Sequence, residues 1–357
     1  MHSLLRLPLM PLSLLWAMVA WLRGKLFDWG VLPSRSFPLP VICVGNLAVG
    51  GTGKTPHVEH LLRLLHAEGY RVAMLSRGYG RRTKGFRLAR PGHTAAHIGD
   101  EPLQMMRNCP FATIAVCESR VEGMRRLLEL PDAPQVVVLD DAYQHRYVRA
   151  GLNILLTEAS RLYTTDHLLP WGRLREPASA AHRAQAVVVT KCRPGQWPAL
   201  KVAPGQLLYY SLIAYGALIG WSGGAGCAAP DVCGACVLLL TGIAHPEPLR
   251  QHLLERGAAE VVCLSFPDHH AFDRRDAARI NRSFAQLRGG CVVTTQKDAV
   301  RLQAIAAHLD AALLARLYVQ PITVELSASP GAAGGSPTFN QMILQYVANH
   351  SRNRCMD

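Results

Sequence analysis

The sequence predicts a doubly wound α/β fold on a parallel sheet, with a second, smaller α/β domain and an N-terminal membrane-anchoring helix. Three features lead there. Short apolar runs alternate with helix-period segments, the alternation lapses and restarts once, and Leu7 to Leu22 contains no charged residue.

That uncharged run is dominated by Leu, Met, Trp, Val and Ala. It falls short of the roughly 20 residues a comfortable membrane span needs, and Pro8 and Pro11 shorten any helix further. No small-x-small cleavage site follows, which sets aside a secretory signal peptide. Arg23 and Lys25 after the run direct the rest of the chain to the cytoplasmic side, against Arg6 on the other flank. Residues 1–30 are therefore read as a membrane anchor, either a tight span or an interfacial helix. The ordinary alternative is a core helix of a soluble domain.

Val41–Val44, ending at Gly45, reads as a buried parallel strand. From Pro56 to Ala67 a helix is expected, with Val58, Leu61, Leu62 and Leu65 at helical spacing. Strands follow at 71–75, 113–116, 136–139, 153–156 and 186–189, with a helix over 120–130. Between about 205 and 236 the pattern loosens into Gly, Ala and Cys. A second series then begins at Val237–Leu240 and continues through Val261–Leu264 and Cys291–Thr294. A boundary near 215 thus separates a domain at 31–215 from a smaller one at 216–326. Residues 327–357 read as a flexible linker, SASPGAAGGSP, and a short C-terminal helix.

Hydrophobic residues at 49% and charged residues at 18% exclude a disordered chain. A net charge of +13 points to anionic partners: an acidic membrane surface, a phosphorylated substrate or nucleic acid. Nucleic acid ranks last, because no Lys/Arg-rich block carries interleaved aromatics. Ten cysteines form no disulfide framework. Cys227, Cys233 and Cys236 include one C-x-x-C without a second pair to complete a zinc site, so they read as free thiols.

Chemistry concentrates first in Gly50, Gly51, Thr52, Gly53, Lys54 and Thr55, which follow a strand and open a helix. That is the setting of a phosphate-binding loop, and it makes the first domain P-loop NTPase-like. Glycines let backbone N–H groups approach phosphates, and the helix N-terminus adds partial positive charge. Lys54 would reach the β and γ phosphates of ATP, and the Thr55 hydroxyl would ligate Mg²⁺. Ala48 stands where the eight-residue pattern has its first glycine, so the loop is a variant. Asp140 and Asp141 end the strand at 136–139, where a further Mg²⁺ anchor belongs; paired turn-forming Asp residues are the bland alternative. Asp100, in Gly-Asp-Glu-Pro before a helix, is either an N-cap or a general base. The histidines of Pro267-Asp268-His269-His270 are either surface decoration or face the phosphate loop. Arg77, Arg81 and Arg82, Arg120, and Arg173 with Arg175 are either solvated loops or phosphate clamps.

These motifs in this order resemble the tetraacyldisaccharide 4′-kinases, the lipid A 4′-kinases of Gram-negative bacteria. The resemblance rests on VGNLAVGGTGKTP, LSRGYGR, GDEP, Ser119-Arg120, LDDAYQH, LLPWGRLREP, TGIAHP, FPDHHAF and TTQKDAVRL, over roughly residues 4 to 303. It implies ATP- and Mg²⁺-dependent phosphorylation of the 4′-hydroxyl of a disaccharide-1-phosphate glycolipid at the cytoplasmic face of the inner membrane. Neither nucleic acid nor an obligate protein partner is implied. Carried over by motif, Lys54 and Thr55 serve phosphate and metal, and Asp141 and Glu176 support the metal with Asp140 beside them. Asp100 is the base, assisted by His269, and Arg120 stabilises the transferring charge. Arg77, Arg81, Arg173 and Arg175 are the candidate substrate contacts. Two positions depart from the family pattern: Ala142-Tyr143 stands where Gly-Phe is frequent, and His245 where Asn is common. Two rivals share the phosphate loop, a soluble kinase for a small metabolite and a nucleotide-switch ATPase of the partition or metal-insertion type.

Overall fold

A computed structural model describes residues 9–221, 232–268, 270–287, 289–328 and 336–354. Most of the expected 327–337 linker, and His269, lie outside the described residues. The chain forms two compact units, one of residues 1–213 and 324–357, the other of residues 214–323.

The first unit runs α1 (Met10–Asp28), β1 (Val41–Asn46), α2 (Lys54–Ala67), β2 (Val72–Ser76), β3 (Arg87–Leu88), α3 (Ala95–Ile98), α4 (Asp100–Asn108) and β4 (Thr113–Val116). It continues through α5 (Arg120–Leu128), β5 (Val136–Asp140), β6 (Leu152–Glu158), β7 (Ala186–Thr190) and β8 (Leu207–Tyr215). The second unit adds β9 (Ile219–Gly220), β10 (Cys236–Thr241), α6 (Glu247–Glu255), β11 (Glu260–Ser265), α7 (Arg274–Ala285), β12 (Cys291–Thr295), α8 (Gln296–Leu302), α9 (Ala311–Leu314) and β13 (Leu317–Gln320). The chain then returns through β14 (Ile322–Ala328) and ends its described part in α10 (Phe339–Arg354).

Among the described residues, the larger sheet has the order β14-β8-β7-β6-β1-β5-β2-β4-β3. Its interior pairs are parallel, and β3 closes one edge antiparallel to β4. β1 sits between β5 and β6, so consecutive strands leave it in opposite directions. A crevice opens at the carboxyl ends of strands at such a reversal. The period-two pattern of β1 explains the layering. Val41 and Cys43 enter one core with Met124 and Leu127 of α5. Ile42 and Val44 enter the other with Val58, Leu61, Leu62 and Leu65 of α2. The C-terminal helix belongs to this second layer, where Phe339, Met342, Ile343 and Val347 complete the core.

The smaller sheet, in the order β11-β10-β12-β13-β9, is parallel apart from the edge pair β13–β9. Its strands match the second series in the sequence.

α1 is not a core helix. Met10, Leu12, Leu14, Leu15, Trp16, Met18, Val19, Trp21 and Leu22 are all exposed on it. No helix among the described residues is long and apolar enough to cross a membrane.

Candidate active site

β1 delivers the phosphate loop to the crevice, and α2 starts directly after it. Gly50 and Gly53 have φ of 108° and 82°, a region that side chains with a Cβ rarely enter. Gly53 is the N-cap of α2 and has no side chain to satisfy the first-turn N–H groups, which leaves these donors for an anion. His57, buried one turn into α2, braces the loop: Nδ1 lies 2.7 Å from the Gly53 carbonyl and Nε2 3.0 Å from Ser211 Oγ. Burial lowers its pKa to about 4, so it stays neutral.

Lys54 Nζ lies 3.3 Å from Asn46 Oδ1 and 3.6 Å from Asp141 Oδ1. Arg175 donates to both oxygens of the same carboxylate, at 2.9 and 3.3 Å, and also to Asn46 Oδ1. Asn46 is fully buried and donates in turn to Thr52 Oγ1 at 2.8 Å. One neutral side chain thus joins the strand end, the loop, Lys54 and Arg175. Asp141 occupies the left-handed region at φ 47°, which turns its carboxylate toward Lys54. Gly45 makes room for this turn, since a Cβ there would lie 2.6 Å from that of Tyr143.

The two strand-end carboxylates differ. Burial would raise both pKa values, but at Asp141 the charges of Lys54 and Arg175 prevail and hold it below the usual range. At Asp140 burial, joined by the charges of Asp141 and Glu101, prevails over Lys54 and Ser76 and pushes the pKa to about 7. Glu101 acts from the first turn of α4, which brings that helix start to the end of β5. Asp100 opens α4, one residue past its N-cap Gly99, in the acidic first turn of the helix.

Arg120, the first residue of α5, is buried and donates to the Glu118 carbonyl at 3.2 Å. Burial lowers its pKa while Asp140 and Asp141 raise it, so the guanidinium feels both strand-end carboxylates. The exposed Arg77 adds its charge to Arg120 and to His145.

Other candidates are committed elsewhere. The Arg81 side chain, 3% exposed, pairs with Glu118 at 2.6 Å and donates to the Gly85 carbonyl at 2.7 Å, which makes it a brace of its own loop. Arg173 pairs with Asp166 at 3.2 Å and Glu158 at 3.8 Å. Glu176, expected near the metal, is a buried partner of Arg183 at 2.5 Å, and that guanidinium lies over the Tyr143 ring. Beside His269, Asp268 pairs with Lys297 at 3.7 Å and His270 with Asp276 at 2.7 Å. Among the described residues no three His, Cys, Asp or Glu side chains form a metal cluster. Asp140, Asp141 and Thr55 nevertheless fit Mg²⁺, which takes few protein oxygens and completes its shell with phosphate and water. Burial, joined by the charges of Asp141 and Glu101, keeps Asp140 protonated to about pH 7, and a cation at the strand end would offset both.

Sequence reasoning passed over Asn46, His57 and Arg183. Asn46 stood inside the quoted VGN segment, but an Asn ending a strand carries no local sign of its partners.

A strand, a glycine loop, a lysine at the helix start and a carboxylate facing it from the neighbouring strand define a P-loop nucleotide-binding protein. A model of the tetraacyldisaccharide-1-phosphate 4′-kinase family (LpxK) matches residues 5–334. A tetraacyldisaccharide 4′-kinase of Bacteroides fragilis is 45% identical, covering 97% of this chain and 94% of its own. One of Flavobacterium johnsoniae is 41% identical, with coverage of 97% and 98%. Among solved structures, Aquifex aeolicus LpxK, an "apo" form in complex with ATP, superposes with a TM-score of 0.73 at 28% identity. That match covers 96% of this chain and 99% of that one. The chain belongs to the tetraacyldisaccharide-1-phosphate 4′-kinase family. It is a kinase, and the nucleotide-switch alternative is not favoured.

Proposed function

We propose a division of labour for the reaction that family membership assigns, ATP-dependent phosphorylation of the 4′-hydroxyl of tetraacyldisaccharide-1-phosphate. The phosphate loop and the start of α2 hold the triphosphate, and Lys54 leaves Asn46 and Asp141 for the β and γ oxygens. Asp140, Asp141 and Thr55 hold Mg²⁺, which when bound neutralises charge on the phosphate oxygens. Arg120 and Arg77 offset charge that develops on the transferring group. Asp100 takes the proton of the sugar hydroxyl, with His269 in support, and transfer is in line without a phosphoenzyme. α1 lies in the membrane interface at the cytoplasmic face, with Lys25 toward anionic headgroups.

The observation that carries this reading is the Lys54–Asp141–Arg175 assembly beside a second, buried carboxylate at the same strand end. The role of Asp100 is the step to test. Asp100→Asn keeps the shape and removes the proton acceptor, so kcat with ATP and the lipid acceptor should fall roughly 10²- to 10⁴-fold. ATP affinity and melting temperature should hold. An unaltered kcat would leave the base to be found elsewhere. If His269 supports Asp100, adding His269→Ala to that variant should cost far less than the two separate losses multiplied.

A further inference from the structure

On a helix whose surface is mostly exposed and apolar, Ser13 is buried. Its hydroxyl donates to the Leu168 carbonyl at 3.2 Å and accepts from the Trp171 amide at 3.0 Å. One turn on, Trp16 Nε1 donates to the Arg175 carbonyl at 3.0 Å. A helix needed for membrane affinity alone has no use for such bonds.

The segment 168–175 that α1 grips has a second partner on its other side. Val49 N–H donates to the Arg173 carbonyl at 2.8 Å, and Arg175 N–H to the Leu47 carbonyl at 2.7 Å. Ala48 and Leu174 form a β-bridge between these bonds. Residues 173–175 therefore run antiparallel beside residues 47–49 at the entry to the phosphate loop, and the segment ends in the guanidinium that holds Asp141 and Asn46. A parallel route starts lower on α1, where Arg23 donates to the Gln144 carbonyl at 3.0 Å. The Gln144 side chain donates to the Asn46 carbonyl at 2.9 Å.

We propose that α1 is a positioning element of the nucleotide site: Ser13 and Trp16 hold residues 168–175 in the register that supports the phosphate loop and aims Arg175 at Asp141 and Asn46. The proposal rests on the phosphate loop being the nucleotide site. It adds that ATP affinity depends on how α1 is seated. Because coupling between binding events is reciprocal, ATP then also stabilises the seated helix.

The test uses the full chain in detergent micelles, with titration calorimetry of a non-hydrolysable ATP analogue and flotation with phospholipid vesicles. Ser13→Ala combined with Trp16→Phe removes the bonds and keeps the apolar surface. Nucleotide binding should weaken about three- to tenfold, the usual scale of a lost hydrogen bond, while vesicle binding and the lipid-acceptor KM hold. Ser13→Thr, which keeps the hydroxyl, should bind nucleotide as the parent does. Leu14→Gln, on the exposed face, should lose vesicle binding and keep nucleotide affinity. Unchanged nucleotide affinity in the double variant overturns the proposal, and so does an equal loss in Leu14→Gln. If the double variant does not fold, the single Ser13→Ala and Trp16→Phe proteins are held to the same criterion. A parent chain that fails to bind the analogue would refute the phosphate-loop reading itself.

Discussion

α1 and α10 are the first and last helices of the same unit, and they meet opposite surroundings. In α10 the apolar residues Phe339, Met342, Ile343 and Val347 recur at intervals of three and four and are buried against β1 and β6. The Tyr346 hydroxyl donates to the Val41 carbonyl at 3.1 Å and accepts its amide at 3.2 Å, fixing the helix to the first strand. In α1 apolar residues surround the axis, and nine large ones face outward. A stripe one face wide matches a sheet, whereas an apolar girdle leaves surface that no sheet can cover. Spacing, more than hydrophobicity, decided which helix joined the core.

The largest effect that would break this comparison comes from placing a carboxylate on each helix. Ile343→Asp buries an unpaired charge and should cost roughly 3–5 kcal/mol in chemical denaturation. Val19→Asp should change stability by no more than about 0.5 kcal/mol. A tolerant Ile343→Asp would detach α10 from the core, and a Val19→Asp as damaging as it would make α1 a core helix. The next effect is on attachment. Val19→Asp removes apolar area worth roughly 1.5–3 kcal/mol when buried, so vesicle binding should fall at least about tenfold, and Ile343→Val should leave it alone.

The smallest effect checks that neither helix substitution has disturbed the nucleotide site. Asp140 keeps its proton to about pH 7 in the folded chain, against an ordinary value of 3.8. The unfolded chain therefore loses this proton first, and the contribution of Asp140 to stability declines from about pH 4 to pH 7. A bound cation requires the ionised form, so magnesium-ATP should bind up to about tenfold more tightly at pH 8 than at pH 6. That corresponds to roughly 3 °C of added thermal shift. The same increment is expected in the parent chain and in Val19→Asp. A flat response would remove Asp140 from the metal site.

The fold was legible because its signals are local. Val136–Leu139 and Ala186–Val189 are apolar runs that form central strands, and the loop at 50–55 announces itself by glycine and lysine. The charged residues were less legible, because a charge alone does not say which partner it meets. Arg81 answers to Glu118, 37 positions away, and Arg175 to Asp141, 34 away. Both arginines stood in basic clusters that read alike, yet one pins a surface loop and the other holds the strand-end carboxylate. Glu176 shows the same limit, since its partner Arg183 had no motif to mark it.

The return of the chain to its first unit has a consequence for synthesis. The core layer under α2 is complete only with residues 339–347, while residues 214–323 form a unit of their own. On a ribosome adding about 5–20 residues per second, the contiguous second unit emerges whole while the first still waits on the order of ten seconds for its last helix. Throughout that interval Ile42, Ile154 and Val188 lack the cover of α10, and the apolar girdle of α1 is already outside the tunnel. The nascent chain therefore meets its surroundings with two sticky surfaces at once. A membrane within reach of α1 would take one of them out of competition before α10 arrives to close the other.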